Sequence, residues 1–583
     1  VLVEAAARRL DQPAAALRTE GGAVIAPDGT RLPYTGLAVE AALIAPPSDL
    51  ALKPQKEWRL LGRSMPRLDM VAKLTGRAEF GIDTRMEGML HAAVRMNPGL
   101  GATMSGFDSD AALKMRGVVR VVDLGTGVAV VADNSWRAFR ALDAIEVDWD
   151  AAPYPADTEA IFDEIAQAFE GGPNSTLRDD GDVGAALTGD GVIEAEYRLP
   201  YLAHATMEPM NALALFRGGT LTIRTGNQAP TVIRDAVAAE TGVKPAFVSV
   251  ETPFMGGGFG RRAETDAAVL AARLAMEVPG RPVNLTYSRE EDMRHDFYRP
   301  GIIARMRGMP GDDGPVALSA DIAGASVYRT QARRVAGFAP PGPDKILVEG
   351  AFDQPYGVAN YRVRGFISDV AVPVGSWRSV GHSHNCFVTE CFLDELAAAR
   401  GLDPVEMRLR LMRGQSDRAE RVLEAVAEMA GWGDATPAGK GRGVAFSWSF
   451  GSPTAQIVEI GESGAGIRIE RVWCAQDVGL ALDPRSIEAQ IVSGIVYGLS
   501  AAMTGQITFE GGAVVEGNFD SYPVMRMDQM PQVKTRILET EGALGGVGEP
   551  GTPPAAPALA NAIFDLTGKR IRSLPLRGAV RFA

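Results

Sequence analysis

The segment Phe254-Met255-Gly256-Gly257-Gly258-Phe259-Gly260-Arg261-Arg262 follows a predicted strand and precedes a helix that is predicted to begin near Thr265. A glycine-rich loop in this position lets backbone N–H groups come close to a ligand. The loop lacks the Gly-Lys-Ser/Thr ending of a P-loop, and Arg261 stands where a dinucleotide fingerprint has its third glycine. Both common nucleotide-binding motifs are therefore excluded. Two interpretations remain, a loop for another ligand and a tight turn with close helix packing.

Strands and helices alternate on both sides of this loop. Apolar runs with β spacing predict strands, and alanine-rich runs with helical spacing predict helices. The predicted strands are 89–94, 128–132, 212–216, 221–224 and 248–251, and the predicted helices are 135–143, 231–241, 265–277 and 557–563. The chain has no repeat of about 20 to 50 residues, so solenoids and propellers are disfavoured. This order of elements predicts an α+β fold.

Clusters of proline and glycine predict the domain boundaries. Proline-rich segments lie at 45–48, 53–56 and 151–155, and a glycine-rich break lies at 431–443. Segments of this composition separate domains. We therefore expect four regions, which are 1–48, 58–150, 151–436 and 437–583.

The composition is that of a globular protein and excludes several functional classes. Of the 583 residues, 46% are hydrophobic, and 59 basic residues against 72 acidic ones give a net charge of −13, so nucleic acid is not an expected partner. The sequence contains no apolar run long enough for a transmembrane segment. The cysteines Cys386, Cys391 and Cys474 are too few for a disulfide framework, and the five histidines form no zinc motif. His382 and His384 are interpreted as loop or surface residues.

The segment Gly545-Gly546-Val547-Gly548-Glu549-Pro550 near the C-terminus contains a candidate general base. Pro550 restricts the backbone of Glu549 to the extended region and so fixes where its carboxylate points. A carboxylate in an apolar pocket lined by glycine has a raised pKa, which suits a base near neutral pH. The alternative is a solvent-exposed loop glutamate.

Three further polar side chains are candidates for a site. Arg378 follows Trp377 in a glycine-bounded turn, where it could hold a carboxylate or an oxyanion, or stack as a structural arginine. Gln228 follows a strand and Gln490 lies in a helical run. Either amide suits a polar cofactor, and either could instead be a capping or surface residue.

Taken together and in this order, the five segments resemble those of the molybdenum-binding large subunit of the xanthine oxidase family, most closely the isoquinoline 1-oxidoreductase beta subunit and bacterial aldehyde dehydrogenases. The resemblance implies an α/β-hammerhead domain at 58–150, opened by Arg67-Leu68-Asp69, followed by two molybdopterin-binding parts at 151–436 and 437–583. Residues 1–48 would be the remnant of an upstream molybdopterin-binding segment. Because Val1 onward has no helix start signal and the family's Gly-Gln-Gly segment is missing, we expect a fragment or a split subunit.

The resemblance also implies the roles of individual residues. Glu549 is similar to the family's general base, Gln228 to the glutamine beside the apical molybdenum ligand, and Arg378 to an arginine that steadies substrate. The residues implied to bind cofactor are Gly257, Gly258, Phe259, Gly260, Arg261, Gln490 and Gly548. The metal itself would be held by the dithiolene of the pterin and not by the protein. Ala263 stands where the purine enzymes have a substrate-binding glutamate, so purine oxidation is not expected.

The implied activity is hydroxylation of an aldehyde or an N-heterocyclic aromatic, with water as the oxygen source. The implied cofactor is molybdopterin cytosine dinucleotide with molybdenum, and the implied partner is a small subunit with [2Fe–2S] clusters. A cytochrome acceptor and a separate chain that supplies the N-terminal segment are further expected partners. The resemblance implies a periplasmic location, with the cytoplasm as the alternative. The alternative function is a catalytically silent relative that serves in binding or assembly.

Overall fold

The computed structural model describes residues 1–50, 52–540 and 542–583, in two compact units, Val1–Leu61 and Gly62–Ala583. The smaller unit has two helices around one antiparallel sheet. Its elements are α1 (Leu2–Leu10), β1 (Arg18–Glu20), β2 (Ala23–Ile25), β3 (Arg31–Pro33) and α2 (Tyr34–Ala42). Its core is formed by small and aliphatic side chains, among them Ala6, Val24 and Leu37.

The larger unit contains helices of very different length. They are α3 (Met70–Leu74), α4 (Asp110–Leu113), α5 (Ser135–Asp143), α6 (Thr158–Gln167), α7 (Val183–Ala186), α8 (Pro230–Thr241), α9 (Asp266–Glu277), α10 (Arg289–Arg294), α11 (Val327–Ala336), α12 (His382–Ala399), α13 (Pro404–Met412), α14 (Asp417–Ala430), α15 (Pro484–Thr504) and α16 (Ala555–Thr567). Local signals fix several ends. Pro230 opens α8 at a position where its missing N–H costs nothing, and Gly242 closes that helix in the left-handed conformation.

The strands of the larger unit form three main sheets and two short pairs. The strands are β4 (Leu90–Met96), β5 (Met104–Asp108), β6 (Val118–Asp123), β7 (Gly127–Ala132), β8 (Glu146–Trp149), β9 (Ser175–Asp180), β10 (Ile193–Leu199), β11 (Asn211–Arg217), β12 (Thr220–Arg224), β13 (Val248–Glu251), β14 (Val283–Thr286), β15 (Ile302–Pro310), β16 (Pro315–Ala325), β17 (Asn360–Ser368), β18 (Lys440–Ser449), β19 (Ser452–Ser463), β20 (Gly466–Asp477), β21 (Phe509–Glu510), β22 (Ala513–Val514) and β23 (Gln532–Leu538). The sheet orders are β13-β12-β11-β14-β4-β7-β6, β10-β15-β16-β17-β9 and β18-β19-β20-β23.

Helices and sheets pack into mixed layers, which confirms the α+β fold class. The apolar face of α9, which includes Ala271, Ala272 and Ala275, is buried with the strands of the seven-stranded sheet. The four-stranded sheet is covered by α14 and α16, whose buried residues belong to the same core. Strands from both sides of residue 150 share the seven-stranded sheet, because β4, β6 and β7 align with β11 to β14.

The prediction that His382 and His384 lie in a loop or on the surface is wrong. Both residues lie in the first turn of α12, and their side chains are buried. This helix is buried on nearly every face from His382 to Ala397, so its sequence lacks the apolar and polar alternation that marks a surface helix.

The helix α15 has the length and the apolar composition that could cross a membrane. Its side chains Ile487, Ile491, Ile495 and Leu499 are buried in the main core. Asp483 caps its first turn through Ser486 N, and Pro484 follows at the start of the helix. It is a core helix, and its first half carries residues toward the candidate site.

Candidate active site

The glycine loop lies between β13 and α9 and contacts the loop that contains Gln228. The backbone N–H of Gln228 donates to Arg262 O (2.9 Å), and Gly260 N–H donates to Gln228 Oε1 (3.2 Å). A Cβ at Gly258 would lie 2.6 Å from the same amide oxygen. The glycine at 258 therefore lets the two loops approach closely, and Gln228 Oε1 is occupied by the protein.

Gly260 joins this loop to the turn that carries Arg378. Gly260 has a φ of 112°, which favours glycine, and a Cβ there would overlap the carbonyl oxygen of Ser376. Next to it, the ring of Phe259 stacks on Tyr497 with centroids 4.4 Å apart, and Trp377 stacks on Tyr497 at 4.7 Å. The aromatic stack holds the glycine loop, the 376–378 segment and α15 together.

The side chain of Arg261 lies inside the protein. Its guanidinium makes two hydrogen bonds to Asp266 (2.8 and 2.7 Å), and its Nε lies 3.2 Å from Asp296 Oδ1. Arg262 is also buried and donates to Glu208 Oε2 (3.0 Å). Because the Arg261 side chain is engaged with two carboxylates, its predicted contact with a cofactor would have to come from its backbone.

Arg378 connects three segments that are far apart in sequence. Its Nε donates to Gly548 O (2.9 Å), its Nη1 donates to Ser493 Oγ (2.9 Å), and its Nη2 donates to Gln490 Oε1 (3.2 Å) and to the Gln490 and Gly548 carbonyl groups. The guanidinium is buried. In this structure Arg378 fixes the positions of Gln490 and Gly548, and its predicted contact with substrate stays a prediction.

Glu549 is held beside Arg378 by the next residue of the same turn. Ser379 N–H donates to Glu549 Oε1 (3.3 Å), and Ser379 Oγ donates to the Glu549 carbonyl oxygen (2.8 Å). Burial raises the pKa of Glu549 above its usual range, against the opposing effects of the Ser379 N–H and the Arg378 charge. The carboxylate therefore has one oxygen engaged by the backbone and the raised pKa that the sequence interpretation expected of a base.

A chain of contacts brings the predicted residues to one place. Gln228 contacts Gly260, Gly260 packs on Ser376, and Arg378 contacts both Gln490 and Gly548. Glu549 follows Gly548 directly and bonds to Ser379. The structure thus assembles one site from the five sequence segments, while the role of each residue within it stays a prediction.

The sequence interpretation missed several residues beside Glu549. His382 lies with its Nδ1 3.6 Å from Glu349 Oε1 and its Nε2 3.4 Å from Asp353 Oδ2. Gly381 N–H donates to Glu349 Oε1 (2.9 Å), two residues after the N–H that holds Glu549. Neither Glu349 nor Asp353 belongs to a recognisable motif, so no local signal in the sequence pointed to them.

A cavity of about 260 Å³ lies against the aromatic stack. Its walls include Phe259, Trp377, Ser493, Tyr497, Tyr522 and Met525. Ser493 lines this cavity and also accepts a hydrogen bond from Arg378. In the described part of the chain, no group of three or more His, Cys, Asp or Glu side chains is arranged to hold a metal ion.

Comparison with known proteins gives consistent matches. Two family models, each described as a molybdopterin cofactor-binding domain, match residues 168–412 and 398–531. The isoquinoline 1-oxidoreductase subunit beta of Brevundimonas diminuta is 30% identical, and the match covers 100% of this chain and 80% of that protein. The membrane-bound aldehyde dehydrogenase [pyrroloquinoline-quinone] of Gluconacetobacter polyoxogenes is 30% identical over 91% of this chain and 73% of its own length.

A solved structure shares the fold at low sequence identity. The quinoline 2-oxidoreductase of Pseudomonas putida 86 superposes with a TM-score of 0.73 and 16% identity. The match covers 89% of this chain and 97% of that chain. The likeness therefore extends over most of both chains and concerns the fold alone.

Proposed function

The chain belongs to the xanthine oxidase family of molybdopterin-binding large subunits, and we propose that it hydroxylates an aldehyde or an N-heterocyclic aromatic with water as the oxygen source. It is a molybdenum-dependent oxidoreductase, because the two family models that match it both describe molybdopterin cofactor-binding domains. The observation that carries the proposal is the carboxylate of Glu549, which has a raised pKa and lies beside Arg378, Gln490 and the Gly548 backbone.

The residues around Glu549 fit a pterin cofactor. The nearest atom to a Cβ at Gly548 would be Gln490 Oε1 at 4.0 Å, so the backbone there is open to a ligand. The amide oxygens of Gln228 and Gln490 accept hydrogen bonds from Gly260 and Arg378, and among the described residues neither amide nitrogen has a partner. Each nitrogen can therefore donate to the oxygen and nitrogen acceptors of a pterin.

We propose that Gly257 to Gly260, Gln228, Gln490 and Gly548 hold molybdopterin, in its cytosine dinucleotide form. When bound, the cofactor would supply the redox chemistry, as the acceptor of the two electrons that the substrate loses. Glu549 Oε1 accepts the Ser379 N–H, so the second oxygen, Oε2, takes the proton from water. The raised pKa of Glu549 keeps that proton transfer favourable near neutral pH.

We further propose that the electrons leave through a partner subunit with [2Fe–2S] clusters, and then through a cytochrome. The cysteines support a separate carrier, because two are buried in α12 and one in β20, and three thiolates cannot supply the four that one cluster needs. The likeness to a protein named as a beta subunit supports a complex of several chains. A periplasmic location is a related proposal, and cell fractionation would test it.

The test is Glu549→Gln in the purified complex. The glutamine keeps an oxygen acceptor for Ser379 N–H but cannot take a proton, so we expect turnover of aldehydes and N-heterocycles to fall by about 10²- to 10⁴-fold. Molybdenum content should stay at the wild-type level. Turnover is measured by reduction of an artificial dye, and metal content is measured by elemental analysis.

Glu424→Gln is the matched control, since Glu424 is exposed on α14 and has no place in the site. It should leave turnover and molybdenum content unchanged. Ordinary turnover in Glu549→Gln would remove the general-base role. Wild-type protein without molybdenum, made in a host that produces the cofactor, would favour a silent relative that serves in binding or assembly.

A further inference from the structure

One turn of the chain holds two carboxylates. The turn contains Arg378, Ser379, Val380 and Gly381 and leads into α12. Ser379 N–H donates to Glu549 Oε1 (3.3 Å), and Gly381 N–H donates to Glu349 Oε1 (2.9 Å). The negative charge of Glu349 contributes to raising the pKa of Glu549, so the two groups are electrostatically coupled. Glu349 is therefore a neighbour of the proposed base.

The position of Glu349 is fixed by α12. Asn385 Nδ2 donates to the carbonyl oxygens of Leu347 (2.9 Å) and Glu349 (2.8 Å). Gly350 has a φ of 85°, and a Cβ there would lie 2.8 Å from the Cα of His382. Because backbone atoms pack this closely, the segment that carries Glu349 is seated firmly on the first turn of the helix.

A second carboxylate, that of Asp353, completes the group around His382. The imidazole of His382 faces Glu349 from Nδ1 (3.6 Å) and Asp353 from Nε2 (3.4 Å). Burial disfavours the charged imidazole, but the two carboxylates outweigh this effect and raise the pKa of His382 to about 9. Both carboxylate side chains keep some contact with solvent, at 21% exposure for Glu349 and 30% for Asp353.

Two cationic groups lie in this region, and oxygen atoms of the protein surround both. The guanidinium of Arg378 is held by Gly548, Ser493 and Gln490. The His382 imidazolium lies between its two carboxylates. When Glu549 is ionised, the group formed by Glu349, Asp353 and Glu549 with these two cations carries a net charge of about −1. The exposed ring of Phe450 lies beside these charged groups, with its centroid 5.5 Å from that of the His382 ring.

We propose that Glu349 and Asp353 determine specificity by excluding anionic substrates, so that the site takes uncharged aldehydes and uncharged N-heteroaromatic rings. This proposal rests on the proposed function, because it requires substrate to approach Glu549. A substrate carboxylate would meet like charges in a partly buried site, where repulsion is stronger than in water. An uncharged ring would meet no such penalty and could lie against Phe450.

The test compares substrates of the same shape and different charge. The native complex is assayed by dye reduction with 4-formylbenzamide and 4-formylbenzoate, and with nicotinamide and nicotinate. We expect kcat/KM for the neutral member of a pair to exceed that of the anion by about tenfold or more. Glu349→Gln, which can still accept from Gly381 N–H, should reduce this ratio several-fold, and Glu424→Gln should leave it unchanged.

The ratio separates a specificity role from general damage, because a poorly folded variant loses both substrates alike. Inhibition of the wild-type complex by benzamide and benzoate gives a second measurement without a variant, and benzamide should bind more tightly. Equal kcat/KM for neutral and anionic partners, or a ratio unchanged by Glu349→Gln, would overturn the proposal alone. Absence of turnover with every substrate in molybdenum-loaded protein would overturn the proposed function and this proposal together.

Discussion

Glu549 meets two demands that a general base makes on a single residue. Burial raises the pKa of Glu549, and one backbone N–H orients its carboxylate while leaving an oxygen for the proton. A base works only when it is deprotonated. We therefore expect kcat/KM to increase as the pH rises through the pKa of Glu549, and to be low at pH values below that pKa. The charges that act on Glu549 are Arg378 and His382, which lower its pKa, and Glu349, which raises it.

A pH profile of Glu349→Gln checks this electrostatic account. Removing the Glu349 charge takes away a contribution that raises the pKa of Glu549, so the acid limb of kcat/KM should move to lower pH. The measurement uses an uncharged aldehyde, which keeps substrate repulsion out of the comparison. Glu424→Gln should reproduce the wild-type limb. An acid limb that stays in place in Glu349→Gln would show that this limb does not report Glu549.

At the level of single residues, the sequence could indicate the type of group but not its partners. Gln228 and Glu549 stood out because of flanking glycine and proline, and the structure brings both to one site. For Arg378 the sequence left two interpretations open, an arginine that binds an anion and a stacked structural arginine. Its hydrogen bonds to carbonyl and hydroxyl oxygens fit neither interpretation fully. Glu349 was missed, because only the tertiary packing of α12 brings it to Glu549.

At the level of elements, the glycine loop is held in place by close backbone contact. Gly260→Ala would place a Cβ against the Ser376 carbonyl oxygen, and it would force alanine to adopt a φ of 112°. The variant therefore combines a steric clash with backbone strain. Overpacking of this kind costs about 1–3 kcal/mol, and displacement of the loop would also move Phe259 off Tyr497. We expect Gly260→Ala to lower the melting temperature and the molybdenum content, as measured by thermal unfolding and elemental analysis.

Gly280→Ala separates the effect of the steric clash from the effect of the positive φ. Gly280 has a φ of 83°, and no atom lies within 4 Å of the position that an alanine Cβ would take, so the substitution adds backbone strain without a clash. It should lower the melting temperature slightly and leave molybdenum bound. A similar loss of molybdenum in both variants would mean that the contact between Gly260 and Ser376 is not what holds the loop.

Elements with strong local signals were predicted closely. The helices predicted at 231–241 and 265–277 begin and end within a residue of α8 and α9, because proline, glycine and alanine mark them in the sequence. The buried helix α12 was not recognised around His382, because polar residues such as His384 and Asn385 fill its first turn. Their hydrogen bonds and burial depend on segments about 40 residues away.

At the level of the whole molecule, the site depends on segments spread over more than half of the chain. Gln228 and the glycine loop belong to the layers of the seven-stranded sheet, while Gln490 lies in α15 and Gly548 lies in the loop between β23 and α16. Arg378 and the aromatic stack connect these two halves. The α+β class could be predicted from the order of elements. The contact between these two groups of segments could not be predicted, because it depends on long-range packing.

The proposed complex makes a prediction about the composition of the native assembly. If the pterin lies between these halves and electrons leave to a partner, the purified complex should contain about one molybdenum per chain and about four irons from two [2Fe–2S] clusters. Elemental analysis of the complex provides both numbers, and Glu549→Gln should give the same values, because the carboxylate acts on the proton and does not hold the metal. Iron without molybdenum would contradict the proposed cofactor site. Molybdenum without iron would contradict the proposed partner while leaving the chemistry assigned to this chain intact.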